Sequence, residues 1–480
     1  MVYMSYKKIA VQGTKWTTLS TVIVTLMQFV QVTILARILD PAAFGLVGMV
    51  MVLVNLFNIF SDMGVSNAII YKQETNKYKL SSLYWLNIAL GIFLFVLIIA
   101  IKPLIIGYYH EPKLESIIIF SSLIFLINPL GQQFQFLFQK DFEFKVISMI
   151  EIVSATIGTL VAIALALLNF EALSIIFGQL VTYLFKSCMF FILGIRRWRP
   201  LMYFNWKEIK DYFKFGLYSV GDNMLNFLST NLGNLIIGSL LGARALGYYT
   251  IAYQLVIFPI SKLNPIITRV SFPIFTKIKS DLVHLKQGYL QVLDIIGSLN
   301  FPLLIGLFVS SDTIIPLLYG GNWGETVKLV QILCIVGILR SLGNPLGSLL
   351  MSQGKPELGF RLNLITLIFQ FPALYFGAEI NGIYGVAIGF VCVQILNILL
   401  NFYAVHIIIG RWLWDLLKII YLQFLIGMMM GIVIIIMNRY TIELNLLIQF
   451  IMQVVVGVTI YVIGFILLKK DTIKKISLLK

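Results

Sequence analysis

The sequence predicts an all-α protein that crosses a membrane many times. Hydrophobic residues make up 59% of the 480 positions, charged residues only 12%, and the mean hydropathy is +0.93. Soluble domains carry about 25% charged residues, so this balance excludes a soluble globular protein. Apolar runs recur along the whole chain, most of them near the roughly 20 residues that a helix needs to cross the hydrocarbon core.

The apolar runs predict about 14 transmembrane helices. The run at 325–350 is interrupted by Arg340 and Pro345, and the run at 362–379 by Pro372. These two are the least regular. The predicted spans are 16–38, 43–61, 82–101, 115–137, 146–168, 172–195, 214–240, 246–264, 289–310, 325–350, 362–379, 383–409, 419–437 and 446–468.

An internal repeat predicts how these helices are organised. LDPAAFG at 39–45 and LGARALG at 241–247 share their Leu, Ala and Gly, and each follows a helix with a polar stripe. The chain makes six spans from the start of the first of these helices to the start of the second, an even number, so the halves should be parallel repeats. We predict two parallel six-helix bundles around a central cavity, followed by two C-terminal helices. The domains are the N-terminal bundle 1–200, the C-terminal bundle 201–410, and 411–480 with helices 13 and 14 and a basic tail.

Lysines and arginines predict the orientation. Nearly all of those outside the spans fall on the side that both termini share, and the opposite side has only four. This asymmetry places both termini in the cytoplasm of a cell whose cytoplasmic, or inner, membrane the chain spans. It also accounts for the +15 formal charge, so no nucleic-acid partner is expected. The four residues on the opposite side are Lys102, Lys113, Arg244 and Arg439.

Two polar stripes are the main candidates for a transport pathway. Asp222, Asn226, Thr230 and Asn234 recur every four residues, which puts them on one face of a helix. The first helix has a similar stripe, which includes Thr25 and Gln28. Polar side chains face lipid only at a cost, so each stripe should line a water-filled cavity or a polar seam between helices. Of these two interpretations we favour the water-filled cavity.

Charged residues inside the spans are the second set of candidates. Arg340 lies beside Gly343, Pro345 and Gly347, where the helix should unwind, and it suits contact with substrate phosphate. A structural pair with Asp222 is the alternative. Arg37 and Lys262 are further candidates for substrate binding, although both could extend to the membrane surface. Asp222 is the candidate for ion coupling, since a carboxylate in the stripe could take up a proton.

Sites for enzymatic chemistry are not evident. The three cysteines and three histidines are scattered, without the spacing of a disulfide framework or a zinc site, and no P-loop occurs. We predict no cofactor, no metal and no catalytic residue, and we do not expect an enzyme.

Three segments resemble one transporter family. GLYSVGDNMLNF, LIIGSLLGARALGYYTIAYQLVIFPISKLNPIITRVSFPIF and LLYGGNWGETVKLVQIL are similar to Wzx-type polysaccharide flippases, specifically the colanic-acid and teichuronic-acid exporter group. That group belongs to the multidrug/oligosaccharidyl-lipid/polysaccharide exporter superfamily. The resemblance extends from Lys8 to about Leu417. Relatives often have an acid before NLIIG where this chain has Gly233, so any ion coupling must use another residue here.

The resemblance implies a flippase that moves undecaprenyl-pyrophosphate-linked oligosaccharide to the outer leaflet by ion-coupled alternating access, for surface polysaccharide biosynthesis. The partners it implies are that lipid-linked substrate, membrane lipids and polysaccharide polymerase or assembly proteins, with the chain itself a monomer. One alternative is a small-molecule or multidrug antiporter of the same superfamily. A second is a membrane enzyme that acts on lipid-linked sugars.

Overall fold

The computed structural model describes residues 2–62, 69 and 74–468, with side chains at 12–61, 69, 74–210, 224 and 226–468. Every regular element in these ranges is a helix, and they contain no strand. Twelve helical segments of this described part are long and apolar enough to cross a membrane. The chain is therefore a multi-pass helical membrane protein, as the composition predicts.

The chain divides into two compact units, residues 1–247 and 248–480. The predicted bundle boundaries after residues 200 and 410 rest on the repeat, and they stay a prediction. The first unit contains α1 (Val2–Ile38), α2 (Pro41–Asp62), α3 (Lys77–Tyr109), α4 (Leu114–Ser122), α5 (Ile124–Lys140), α6 (Phe144–Leu167), α7 (Glu171–Gly194) and the first part of α8 (Trp206–Lys277).

The second unit begins within α8. It continues with α9 (Leu282–Tyr319), a 3₁₀ turn (Gly321–Trp323), α10 (Gly324–Gly343), α11 (Leu346–Ser352), α12 (Pro356–Ile409), α13 (Leu413–Thr441) and α14 (Leu446–Leu468). Helices α13 and α14 pack against each other and against α9. The buried amide of Gln423 donates to Ser298 of α9 at 2.9 Å, and that of Gln453 donates to Thr313 at 2.8 Å. Hydrogen bonds therefore fix the two C-terminal helices on α9.

Two of the longest helices are broken near their middle. Gly242 in α8 has φ 79° and ψ 178°, and Gly382 in α12 has φ 53° and ψ −136°. Positive φ is the conformation that glycine adopts without a steric cost. The breaks separate predicted spans 214–240 and 246–264, and spans 362–379 and 383–409. The predicted boundary between spans 214–240 and 246–264 is thereby confirmed, and the twelve apolar segments approach the predicted count of about fourteen spans.

The helix is interrupted after Arg340, but the predicted unwinding is wrong, because Asn344 (φ −57°, ψ −41°) and Pro345 (φ −70°, ψ −15°) keep helical backbone angles. Helix α10 ends at Gly343 and α11 begins at Leu346, so the break falls at Asn344 and Pro345. Pro372, by contrast, lies inside α12 without ending it. Neighbouring helices in a membrane protein tolerate such a proline by local adjustment.

Large apolar side chains cover much of the outer surface. Phe93 is 59% exposed, Leu104 75% and Ile368 61%, all within apolar helices. Inside the units, small residues allow close packing. A Cβ at Gly377 would lie 2.4 Å from the carbonyl oxygen of Gly385, so the two parts of α12 touch through glycines. Apolar exposure with small-residue contacts is typical of helices packed in lipid.

Candidate substrate pathway

Helix α1 uses one face to pack against α6. Gly13 lies against the ring of Phe144, and buried Ser20 donates a hydrogen bond to Glu151 at 3.0 Å. Further along, Thr159 donates to the side chain of Gln31 at 3.1 Å. Residues 13, 20 and 31 share this face because helical residues three or four positions apart are neighbours.

The other faces of α1 do not pack against α6, and two of them differ in their chemistry. The side chain of Thr25 is half-buried and that of Gln28 is exposed. Both lie on a polar face beside the packed one, together with Thr14, Thr18 and Thr21. The apolar face farther round consists of Leu19, Val22, Leu26 and Val30, which are 43%, 50%, 58% and 46% exposed. The apolar face suits lipid, and the polar face suits a wet surface, as the stripe predicts.

The hydroxyl and amide groups on this polar face differ in whether they already have a hydrogen-bond partner. The hydroxyl of Thr21 donates to the carbonyl oxygen of Thr17 at 2.8 Å, so it is satisfied within the helix. The amide of Gln28 forms no hydrogen bond to a described residue. Gln28 is therefore the member of this face that most needs water or cargo as a partner.

The stripe on α8 is described from Asn226 onward. Asn226 is exposed, while Thr230 and Asn234 are half-buried. The Thr230 hydroxyl donates to the carbonyl oxygen of Asn226 at 2.8 Å, and Asn231 donates to Thr230 at 3.2 Å. One helical turn of this stripe therefore forms a hydrogen-bonded polar edge. The side chain of Asp222, the predicted coupling residue, lies outside the described residues.

Arg340 is half-buried near the end of α10 and contacts an aromatic group. Its Nη1 donates to the hydroxyl of Tyr253 at 2.8 Å. The Tyr253 ring stacks on Tyr249 at 5.8 Å and meets the edge of Phe390 at 6.3 Å between centroids. Among the described residues no carboxylate pairs with Arg340, and the partner described for its guanidinium is the neutral hydroxyl of Tyr253.

A row of hydrogen-bonded polar side chains near Arg340 was not predicted from the sequence. Asn401 donates to Asn397 at 2.9 Å, and Asn397 donates to Thr366 at 3.0 Å. A Cβ at Gly343, one turn after Arg340, would lie 2.8 Å from Nδ2 of Asn401. The four-residue spacing of Asn397 and Asn401 is the sequence signal that could have revealed this row.

The two other predicted cations lie on the surface. Arg37 is exposed in the last turn of α1. Lys262 is exposed on α8 and forms no ion pair with a described residue. The role of Arg37 and Lys262 in substrate binding stays a prediction.

An ion pair joins two membrane helices of the first unit. Lys186 of α7 is 3.8 Å from Glu151 of α6, and Ser20 of α1 donates to the same carboxylate at 3.0 Å. Each charged side chain is about one-third exposed. Glu151 is therefore paired with a cation. Residues of α1, α6 and α7 meet at this ion pair, so α1 is held to the other two helices by a polar contact.

The repeat is visible as a reciprocal contact between two turns. A Cβ at Gly45 would lie 1.6 Å from the carbonyl oxygen of Ala243, and a Cβ at Gly247 would lie 1.9 Å from that of Pro41. The repeat pairs Gly45 with Gly247 and Pro41 with Ala243. Only glycine allows this approach of two backbones. Arg244 and Asp40 add an exposed ion pair at 3.2 Å across the same contact.

Metal chemistry has no evident site in the described ranges, where no three His, Cys, Asp or Glu residues are grouped to hold an ion. Apart from the carboxylates of Glu151 and Asp40, which form ion pairs, the polar groups reported above are hydroxyls, amides and cations. Such groups bind phosphate and sugar hydroxyls without covalent chemistry.

Comparison with known proteins gives a family match. The chain matches the family described as polysaccharide biosynthesis protein over residues 34–328, more than half of its length. It is 37% identical to the lipopolysaccharide biosynthesis protein WzxC of Escherichia coli K12 over 401 residues, which cover 84% of this chain and 82% of that protein. It is 34% identical to the teichuronic acid biosynthesis protein TuaB of Bacillus subtilis 168 over 410 residues, 85% and 83% of the two chains.

Solved structures show the same fold in more distant proteins. The lipid II flippase MurJ in an inward closed conformation superposes with a TM-score of 0.77 at 16% identity, over 95% of this chain and 99% of that one. An inward-facing multidrug resistance MATE family transporter superposes with a TM-score of 0.61 at 14% identity, over 82% and 94% of the two chains. At these identities the likeness concerns the fold alone.

Proposed function

Because the chain belongs to the family of polysaccharide biosynthesis proteins, we propose that it is a flippase for a lipid-linked oligosaccharide. Its cargo is an undecaprenyl-pyrophosphate-linked oligosaccharide, which it turns from the cytoplasmic to the outer leaflet for surface polysaccharide biosynthesis. The relatives are named for the biosynthesis of such polymers, and their names supply the class of the product.

The observation that carries this proposal is the surroundings of Arg340. A guanidinium within an apolar segment is costly, at least about 2.5 kcal/mol on insertion scales, and a hydroxyl alone does not neutralise it. Tyr253 fixes one edge of the group and leaves the other donors for the pyrophosphate. The asparagines 397 and 401 and the polar face of α1 offer amides and hydroxyls that suit sugars.

A drug antiporter of the same fold is the second candidate, and the signs of the membrane charges disfavour it. An exporter of cationic drugs needs unpaired acids, yet Glu151 is paired with Lys186. Arg340 and Lys262 are cations without a described carboxylate. An anionic head group suits this balance better than a cationic drug.

Ion coupling is assigned to Asp222, in keeping with its place in the α8 stripe. Glu151 is the carboxylate of the described spans that already has a lysine partner, so it is less suited to take up and release a proton. Gly233 stands where relatives often have an acid, which leaves Asp222 as the acid of this stripe.

We further propose that both termini are cytoplasmic and that the chain acts as a monomer in the inner membrane. The positive-inside rule supports the orientation, since the loops on the opposite side are poor in lysine and arginine. Polysaccharide polymerase and assembly proteins would take over the flipped product. The cargo would pass by alternating access between the two predicted bundles.

Reconstitution tests the proposal directly. The purified chain is placed in vesicles that contain a labelled undecaprenyl-pyrophosphate oligosaccharide, and a membrane-impermeant reagent reports how much label is outside. Label should cross only in vesicles that contain the protein and should keep its covalent structure. A cleaved or extended sugar would identify an enzyme instead, and efflux of cationic dyes without lipid movement would identify a drug antiporter.

A further inference from the structure

A small cavity lies where three helices of the first unit end on one side. It has a volume of about 210 Å³ and is bounded by the start of α3, the end of α5 and the end of α7. Residues 197 and 198, which follow α7, complete its wall. On the proposed orientation this side is cytoplasmic, at the level where helix ends meet lipid head groups.

The wall of this cavity carries an excess of positive charge. Lys77, Lys140 and Arg197 line it, against a single acid, Asp141. The ammonium group of Lys140 donates to the backbone oxygen of Glu74 at 2.8 Å, and Lys77 is exposed. Neither lysine has a carboxylate partner among the described residues. Two cationic groups are therefore available to a ligand.

Arg197 lines the same cavity but, unlike the two lysines, is paired with a carboxylate. Its Nη2 donates to Glu143 at 2.8 Å, its Nη1 donates to the other oxygen, and its guanidinium lies 4.6 Å from the centre of the Phe138 ring. The hydrogen bonds to Glu143 raise the pKa of Arg197 above its ordinary value. Because this charge is already neutralised, Arg197 shapes the cavity, and the two lysines supply its charge.

Trp198 adds a buried donor without an acceptor. It is 8% exposed, and its ring packs edge-on against Tyr84 at 5.9 Å and close to Phe134 at 5.5 Å. Its Nε1 has no hydrogen-bond partner among the described residues. A buried N–H left without an acceptor is destabilising, so an acceptor oxygen of a ligand would be stabilising here.

Exposed apolar residues next to the cavity indicate that its opening meets lipid. Met202 is 90% exposed, Phe204 54% and Trp206 43%, all in the segment that follows Trp198. The indole of Trp85 donates to the carbonyl oxygen of Leu201 at 2.8 Å and holds this segment on α3. Exposed apolar and aromatic side chains among arginines are typical of a chain that lies in the membrane interface.

We propose that this cavity binds the phosphate of an anionic phospholipid from the leaflet it faces. Lys77 and Lys140 contact the phosphate oxygens, Trp198 donates to one oxygen of the head group, and the acyl chains leave past residues 202–206. This site consists of residues of the first unit alone and does not depend on which cargo is moved.

Native mass spectrometry of the full-length protein tests the site. The protein is extracted from nanodiscs that contain equal amounts of phosphatidylglycerol and phosphatidylcholine. We expect the wild type to retain phosphatidylglycerol, and Lys77→Gln with Lys140→Gln to retain roughly tenfold less, because two charge-assisted contacts are lost. Lys207→Gln with Lys210→Gln removes the same charge outside the cavity and should change retention less than about twofold.

Two further variants keep the test informative if the double variant folds poorly. Lys77→Gln alone changes an exposed residue and should lower retention about threefold, and Trp198→Phe keeps the ring packing and should lower it about as much. Equal retention by the cavity variants and the Lys207/Lys210 control would overturn the proposal. Displacement of the lipid by inorganic phosphate at the same concentration would also overturn it, since the ligand would then be a soluble anion.

Discussion

The polar face of α1 and the surroundings of Arg340 satisfy polar groups in apolar segments by different means. On α1 the groups are neutral, and a threonine such as Thr21 bonds to its own helix. Arg340 needs a partner from another helix and finds the hydroxyl of Tyr253. Exposing the neutral face therefore costs little free energy, whereas the cation depends on a hydrogen-bond partner that is far away in the sequence. If both contact cargo, the cation should account for most of the binding energy.

The largest effect is expected from a covalent crosslink between the two turns, because it should stop transport whichever of the two regions contacts the cargo. Pro41→Cys with Ala243→Cys, in a chain whose Cys188, Cys334 and Cys392 are replaced by alanine, should be joined by a short bifunctional reagent. The backbones of these turns already touch at Gly45 and Gly247, so a short spacer suffices. Transport should stop while cargo still binds from the cytoplasm.

Each single cysteine with the same reagent is the control for this link, and both should transport normally. Full transport by a completely linked protein would mean that these turns do not separate during transport. Alternation would then require bending within one bundle.

Arg340→Ala should lower transport roughly 100-fold, because a charge-assisted contact with phosphate contributes about 3 kcal/mol. Arg340→Lys should keep part of the activity, since lysine retains the charge but lacks the planar set of donors. Initial rates of lipid movement in vesicles measure both. Arg439→Ala, at an exposed arginine of α13, is the matched control. Normal transport by Arg340→Ala would make Arg340 a structural residue and would place the cargo site elsewhere.

Tyr253→Phe should lower transport about fivefold. The ring keeps its stacking on Tyr249, but the hydrogen bond to Arg340, about 1 kcal/mol, is lost. Tyr403→Phe removes a hydroxyl from a tyrosine that is 64% exposed and should have no effect. The decisive comparison is with Arg340→Ala. If Tyr253 acts only by orienting Arg340, Tyr253→Phe should cause no further loss in a chain that already carries Arg340→Ala.

The smallest effects are expected on α1. Gln28→Leu should lower the transport rate about threefold and Thr25→Val about twofold, since each removes a neutral hydrogen bond to water or cargo. Leu26→Val, on the apolar face of the same helix, is the control. If the polar face contacted lipid instead, Gln28→Leu would leave transport unchanged and improve insertion, and the difference between the two regions would disappear.

Local features of the fold were predictable because short stretches of sequence determine them. The break at Gly242 follows from a glycine between two apolar runs, and the break after Gly343 from Asn344 and Pro345. The four-residue spacing from Asn226 to Asn234 places these side chains on one face in any helix. These features need no knowledge of how helices pack.

The partners of the polar groups could not be predicted, because they lie far apart in the chain. Arg340 and Tyr253 are 87 positions apart, and Ser20 and Glu151 are 131 apart. Which helices meet, and at what register, depends on side-chain packing along both of them. Sequence spacing did not indicate the hydroxyl of Tyr253 as a partner of Arg340, and the predicted alternative, a pair with Asp222, lies outside the described residues and stays a prediction.

The measurement that tests the central claim most directly is the leaflet distribution of lipid-linked oligosaccharide in the host. A cell that lacks this chain should accumulate the undecaprenyl-pyrophosphate-linked oligosaccharide in the cytoplasmic leaflet, where an impermeant sugar-modifying reagent does not reach it. The wild-type chain should restore access, and Arg340→Ala should not. An unchanged distribution in the deleted cell, or loss of the lipid-linked oligosaccharide itself, would contradict the assignment of this chain as its flippase.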